Sequence, residues 1–200
     1  DAFTLDMTLI PDFGQARFDN QVLNLSQFEV QFNENRQFFT EGLELFNKAG
    51  IFYSRRVGGR PYFANGIDSQ LNANEEIKEL PAQSQLLNAT KVSGRNKKGL
   101  GIGVFNAVEN RVNAVVKNTE TGNEREVEVN PLTNYNVIVL DQVLRKNSFV
   151  TLTNTNVTRD GIATDANVSQ FDWQLANKKN KYAFSGYAGL SQIFNEKGVE

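Results

Sequence analysis

The chain has 200 residues, 40% of them hydrophobic and 22% charged, with a formal net charge of −2. That length suits one domain or part of a larger one; fifteen Phe and five Tyr exclude wholesale disorder, and near-neutrality removes the electrostatic case for nucleic acid. With no Cys and no His, disulfides, zinc–thiolate centres, Cys nucleophiles and Ser-His-Asp machinery are excluded as well.

Phe3, Leu5, Met7 and Leu9 alternate with Thr4, Asp6 and Thr8, the period-2 signature of a strand. Because Asp1 opens inside this pattern, with no leader-like segment before it, the chain reads as a mature protein or a fragment. Pro11-Asp12-Phe13-Gly14 then supplies turn chemistry. Regularity is lost from residue 11 to residue 85, where an irregular insertion is expected. Within it, Thr40 is a candidate N-cap for a short helix over 40–46 that stops near Gly50. Phe52 to Pro61 crowds Arg55, Arg56 and Arg60 among glycines and aromatics, and 72–85 reads as a polar, acidic loop.

Beyond Leu86 the pattern predicts strands at 86–94, 100–108, 132–144, 148–157, 167–176 and 181–193. A hairpin over 112–116 and 125–129, turned at Thr121-Gly122-Asn123, sits inside the long second gap. Leu100, Ile102, Val104 and Val108 share one face, opposite Gly101, Gly103, Phe105 and Ala107. Phe171, Trp173 and Leu175 likewise oppose Gln170, Asp172 and Gln174. Lys91, placed with Ala89, and the unbroken run Val137 to Leu140 depart from this alternation. Asn fills 25 positions, and it suits turns and polar strand faces better than helices.

The connections read short at 95–98, long at 110–131, short at 146–147, longer at 158–166 and short at 177–180. Tight turns on one side, long loops on the other and strands of about 10 residues are what an up-and-down barrel in an outer membrane requires. The expected fold is therefore all-β: a segment of an antiparallel up-and-down transmembrane β-barrel. Residues 86–193 would form barrel strands and 11–85 a plug-like insertion. A soluble antiparallel sandwich shows the same alternation and is the competing architecture. The polar sides of the strands favour the barrel, because a lumen is wet. Strand 3–9 and the six later ones make an odd number, so residues 1–200 are expected to be the first part of a larger barrel.

Glu34, Glu41 and Glu44 are the candidates for a glycosidase carboxylate pair, but their spacing does not single one out. Beside Arg36, Arg55, Arg56 and Arg60 they read better as ion pairs fixing the insertion to the lumen wall. The arginines would also suit a carboxylate or phosphate ligand. Asp160-Gly161 and Asp165 to Asn167 lack the ligand alternation of a calcium loop, and Gly99 to Gly103 lacks the helix of a nucleotide loop. No catalytic residue, cofactor or metal is expected.

Four long strings bear a family likeness: FTLDMTLIPDFGQ (3–15), NLSQFEVQFNENRQFFTEGLELF (24–46), FYSRRVGGRP (52–61) and NPLTNYNVIVLDQ (130–142). They resemble Bacteroidota outer-membrane proteins in which a periplasmic domain similar to family 9 carbohydrate-binding modules precedes a C-terminal β-barrel. The likeness runs over nearly the whole chain and is densest in its first 61 residues. It departs where Gln37, not Pro, follows Arg36, and where Ala16 to Asp19 brings no early acid after Gly14-Gln15. The resemblance implies a bacterial outer-membrane location, contact with outer-membrane lipid and further barrel strands. It further implies binding or transport of a glycan or other nutrient, or alternatively a non-catalytic platform for partner proteins in an assembly or secretion complex.

Overall fold

The computed structural model describes residues 2–11, 32–145, 147–195 and 198–199. Eleven strands follow in chain order: β1 (Ala2–Leu9), β2 (Glu75–Glu79), β3 (Leu86–Arg95), β4 (Leu100–Glu109), β5 (Val112–Asn118), β6 (Glu124–Asn130), β7 (Thr133–Arg145), β8 (Ser148–Arg159), β9 (Asp165–Ala176), β10 (Ala183–Asn195) and the two-residue β11 (Gly198–Val199). The fold is all-β and antiparallel. Eight strands form one meandering sheet in the order β1-β3-β4-β7-β8-β9-β10-β11, and β2, β5 and β6 form a second, smaller sheet. Among the described residues β1 pairs with β3 and not with β10 or β11, so the large sheet does not close there.

The alternation read from the sequence becomes two chemically different faces. Strand register aligns Phe3, Gly94, Ile102, Leu140, Leu152, Phe171 and Ala188 in one cross-strand row. The next row is Leu5, Val92, Val104, Ile138, Asn154, Ser169 and Leu190. These rows lie on the outward face, where Leu5 is 64% exposed, Leu152 46% and Phe171 43%. The third row turns polar: Met7, Thr90, Asn106, Asn136, Asn156, Asn167 and Gln192. Its amides bond across strands, Asn106 Nδ2 donating to Asn136 at 2.8 Å and Asn167 Nδ2 to Gln192 at 3.3 Å. Four of the 25 asparagines lie in this row.

Over β3, β4 and β7 the opposite, inward face is covered by the insertion. Phe39, Leu43, Phe46 and Val57 pack with Phe105, Ala107, Val137 and Val139 in one buried cluster. Burying a Phe or Leu contributes about 1.5–3 kcal/mol, so this cluster is the main attachment of the segment to the sheet. Gly101 and Gly103 create the room: a Cβ on Gly103 would stand 3.2 Å from the Phe46 ring, and one on Gly101 3.0 Å from Leu45. Both departures from alternation now have causes. Lys91 faces inward and is buried, donating to the carbonyls of Phe38 and Glu41. The run 137–140 is apolar on both sides because Val137 and Val139 face the insertion while Ile138 and Leu140 face outward.

Several expectations require correction. The helix is a single turn at Gln37–Thr40, and Thr40 ends it instead of capping its start. Its hydroxyl donates back to the Gln37 carbonyl at 2.9 Å, the local bond that makes Thr a weak helix former. Within the expected loop 72–85, Glu75–Glu79 forms β2 and pairs with β5. Ile67 and Ile77 pack there with Ala114, Val116, Val127 and Val129, so the insertion divides between two cores. A bulge between Leu86 and Asn88 turns Leu86 inward and leaves Leu87 exposed. β11 raises the strand count of the large sheet from seven to eight. The alternation of loop lengths holds only in part, because the β8–β9 connection closes to 160–164 while β9–β10 spans 177–182. Arg159 narrows the former, its N–H bonding Asp165 at 2.6 Å and its guanidinium the Thr164 carbonyl. The expected turn at 12–14 and insertion residues 12–31 lie outside the described residues.

Candidate functional site

Where residues 52–62 cross the inward face, they leave a cleft of about 730 Å³ against β7, β8 and β9. Ser54–Arg56 makes one 3-10 turn, and Gly58 follows at φ +68°. A Cβ on Gly59 would meet the Arg55 carbonyl at 2.9 Å, so the paired glycines are what let the chain fold back here. The Gly58 N–H donates to buried Glu109 at 2.7 Å, tying the bend to β4. Tyr53, Arg55, Arg56, Arg60, Tyr62 and Arg159 are among the lining residues.

Of the residues expected to form ion pairs, Glu34 and Arg36 are joined most closely. Arg36 donates through Nε to Glu34 Oε1 at 2.9 Å and through a terminal nitrogen to Oε2 at 2.7 Å. The same guanidinium reaches the carbonyls of Ser54 and Val57, and its plane lies over the Phe39 ring at 4.2 Å. Burial would raise the Glu34 carboxyl, but hydrogen bonds from Arg36 and Ser54 outweigh it and hold the group below its ordinary value. Arg55 approaches Glu34 at 3.9 Å, and Arg56 lies 5.9 Å from the Tyr53 ring centre. Glu41 and Glu44 do not belong to this set: both are exposed, and Glu41 serves only through its backbone carbonyl to Lys91. Arg60 is exposed at the cleft and makes no ion pair among the described residues.

The sequence reading missed the charges that do fix the insertion to the large sheet. Asp141, on the inward face of β7, is fully buried and accepts from Lys48 of the insertion, Arg95 of β3 and Thr151 of β8. Lys48 also lies 3.8 Å from the Phe149 ring centre. A lone Asp ending the apolar run Val137 to Leu140 was the available signal. At the cleft, Tyr135 reaches toward Glu109 and Arg159, and the Arg159 guanidinium lies 4.4 Å from the Tyr62 ring centre. In the β8–β9 connection, Asp160 pairs with Arg111 and Asp165 accepts from the Arg159 N–H. The arrangement offers cations, amides and aromatic edges around a cavity, which is binding chemistry.

Comparison with known proteins gives one family. The model of a domain of unknown function, DUF5916, matches residues 1–200, and the chain belongs to that family. No curated protein and no solved structure matches it.

Proposed function

We propose that this member of the family forms part of the wall of a β-barrel in the bacterial outer membrane, where it binds or transports a glycan or another nutrient without catalysing a reaction. The observation that carries the reading is the outward face, where two successive rows are predominantly apolar across seven strands and largely exposed. Exposed apolar patches on ordinary monomers are much smaller, whereas a lipid-facing band is expected on a barrel with a polar interior. The amide row bordering the band suits the step from hydrocarbon to headgroups. On the inward face, Lys48, Arg95 and Asp141 suit a lumen, and the insertion suits a plug. Irregular backbone at membrane depth is tolerated when protein shelters it. No helix among the described residues is long and apolar enough to cross a membrane, which says nothing about crossing with strands. The resemblance to Bacteroidota proteins carrying a domain similar to family 9 carbohydrate-binding modules favours a glycan as the ligand.

The alternative is a platform for partner proteins, favoured by how Phe39, Phe46 and Phe52 fill the space over β4 beside Phe105. One experiment tests the membrane placement on which both depend. The chain lacks Cys, so nitroxide labels can be placed singly at L140C and L152C in the whole protein reconstituted in lipid. Both labels should collide with dissolved oxygen far more than with an aqueous nickel complex. The reverse order would show that water, not lipid, covers this face and would end the reading.

A further inference from the structure

The cleft is one-signed. Among the described residues its lining contains Arg36, Arg55, Arg56, Arg60 and Arg159 and no Asp or Glu, in a chain whose net charge is −2. Arg36 and Arg55 are turned toward Glu34. Arg159 and Arg60 are differently placed. The acids around Arg159 are already engaged: Asp160 by Arg111, Asp165 by the Arg159 backbone, and Glu109 by Gly58 and the Asn130 amide. Its guanidinium bonds the Thr164 carbonyl and lies against the Tyr62 ring, while Tyr135 stands between it and Glu109, whose charge it feels without coming into ion-pair range among the described residues. Arg60 lies one residue before Pro61, exposed at the same cleft.

A guanidinium offers a planar fork of donors that matches a carboxylate or phosphate. Inside a cleft with low-dielectric walls its attraction for an anion exceeds that in open water. Tyr62 is 42% exposed, so part of its surface is open to a ligand while Arg159 lies against its ring. We infer that the cleft binds a small ligand bearing carboxylate or phosphate groups, with Arg60 and Arg159 gripping the anion and Tyr53, Tyr62 and Asn65 forming the surface beside it. This names the ligand class of the same inward face and rests on the binding reading above.

The test is calorimetric titration of the whole protein with three probes: digalacturonate, inorganic phosphate and the neutral disaccharide of the same linkage. At low salt at least one anion should bind, and the stronger of the two identifies a carboxylate or a phosphate ligand. R60Q and R159Q should each weaken that binding at least tenfold, R60K should keep only part of it because the charge stays while the planar fork is lost, and added salt should reduce it. Because Arg60 is exposed, R60Q leaves the fold intact and is decisive. If the neutral disaccharide binds as tightly as the acid, untouched by either variant, the anion inference is overturned while the glycan reading stands. If no anion binds, or if R60Q binds anions like the parent protein, the inference is likewise overturned. Lipid exposure of Leu140 and Leu152 is unaffected by any of these results and judges the membrane reading separately.

Discussion

Asp141 is fully buried, and two cations and a hydroxyl converge on it from three separate segments. Removing one member of a buried ionic set leaves the others desolvated without a partner, at a cost of about 3–5 kcal/mol. Here Lys48 and Arg95 keep 26% and 38% side-chain exposure and can regain water. D141N should therefore fall near the low end, about 3 kcal/mol, read as a lower urea midpoint for the protein in lipid. An equal loss from T151V would show instead that hydroxyl bonding dominates the site. Acid sensitivity arises elsewhere, at Glu75 of β2. Arg125 donates to both its oxygens, at 2.8 and 2.7 Å, and the Asn72 N–H adds a third bond. The Arg125 bonds, then the Asn72 N–H, lower the carboxyl from 4.5 to about 2. A lowered folded-state value means that the stabilisation is complete above the unfolded value and lost as protons return. Protection of β5 amides, corrected for intrinsic exchange, should thus decline as pH falls from 4.5 toward 2. E75Q should be weaker throughout and flat over that range; a wild-type-like slope in E75Q would assign the effect to another group.

At the scale of elements, β4 and the insertion are matched by size. Gly101 and Gly103 alternate with Leu100, Ile102 and Val104, leaving a trough into which Leu45 and Phe46 fit. G103V should force Phe46 away from its seat, at about 1–3 kcal/mol for overpacking. Protease cleavage within 43–57 should then rise while the β3–β4–β7 amides stay protected. Unchanged cleavage would mean that the cluster around Phe105 repacks easily. This trough was legible in the sequence as glycines on one strand face, and so were most strands, because period-2 alternation survives wherever the two faces differ in polarity. β2 was not legible. Its Glu75-Glu76-Ile77-Lys78-Glu79 has one apolar residue, and it is a strand because β5 offers an edge and Arg125 a counter-charge. Arg159 and Asp141 were missed for a related reason: partners brought together by topology give no local pattern. Glu41 and Glu44 misled in the opposite way, being near the arginines in sequence and pointing to solvent in space.

For the molecule as a whole, the decisive feature is that a large sheet has two open edges. β1 bonds only to β3, and along 183–193 β10 bonds only to β9 among the described residues. Phe3, Leu5, Met7 and Leu9 on the first edge are all more than half exposed. The one charge in β1, Asp6, is drawn to Lys91 at 3.6 Å, so the outward side of this edge carries no charge or proline of the kind that protects edge strands. In hydrocarbon, each unpaired backbone group costs several kcal/mol, roughly the penalty for an unsatisfied amide. An edge of this kind is compatible with a membrane only when another strand lies along it, from this polypeptide or from another copy. The expected outcome concerns the alternate β1 amides that point away from β3. In the whole protein in lipid they should be as protected from hydrogen exchange as those bonded to β3, and L5P, which stiffens the backbone and removes one donor, should disturb both edges' protection if β1 closes a barrel. Rapid exchange of the outward amides beside protected inward ones would show that the sheet ends at β1. The apolar rows would then have to be covered by protein and not lipid, and the transport barrel and the barrel platform would fall together.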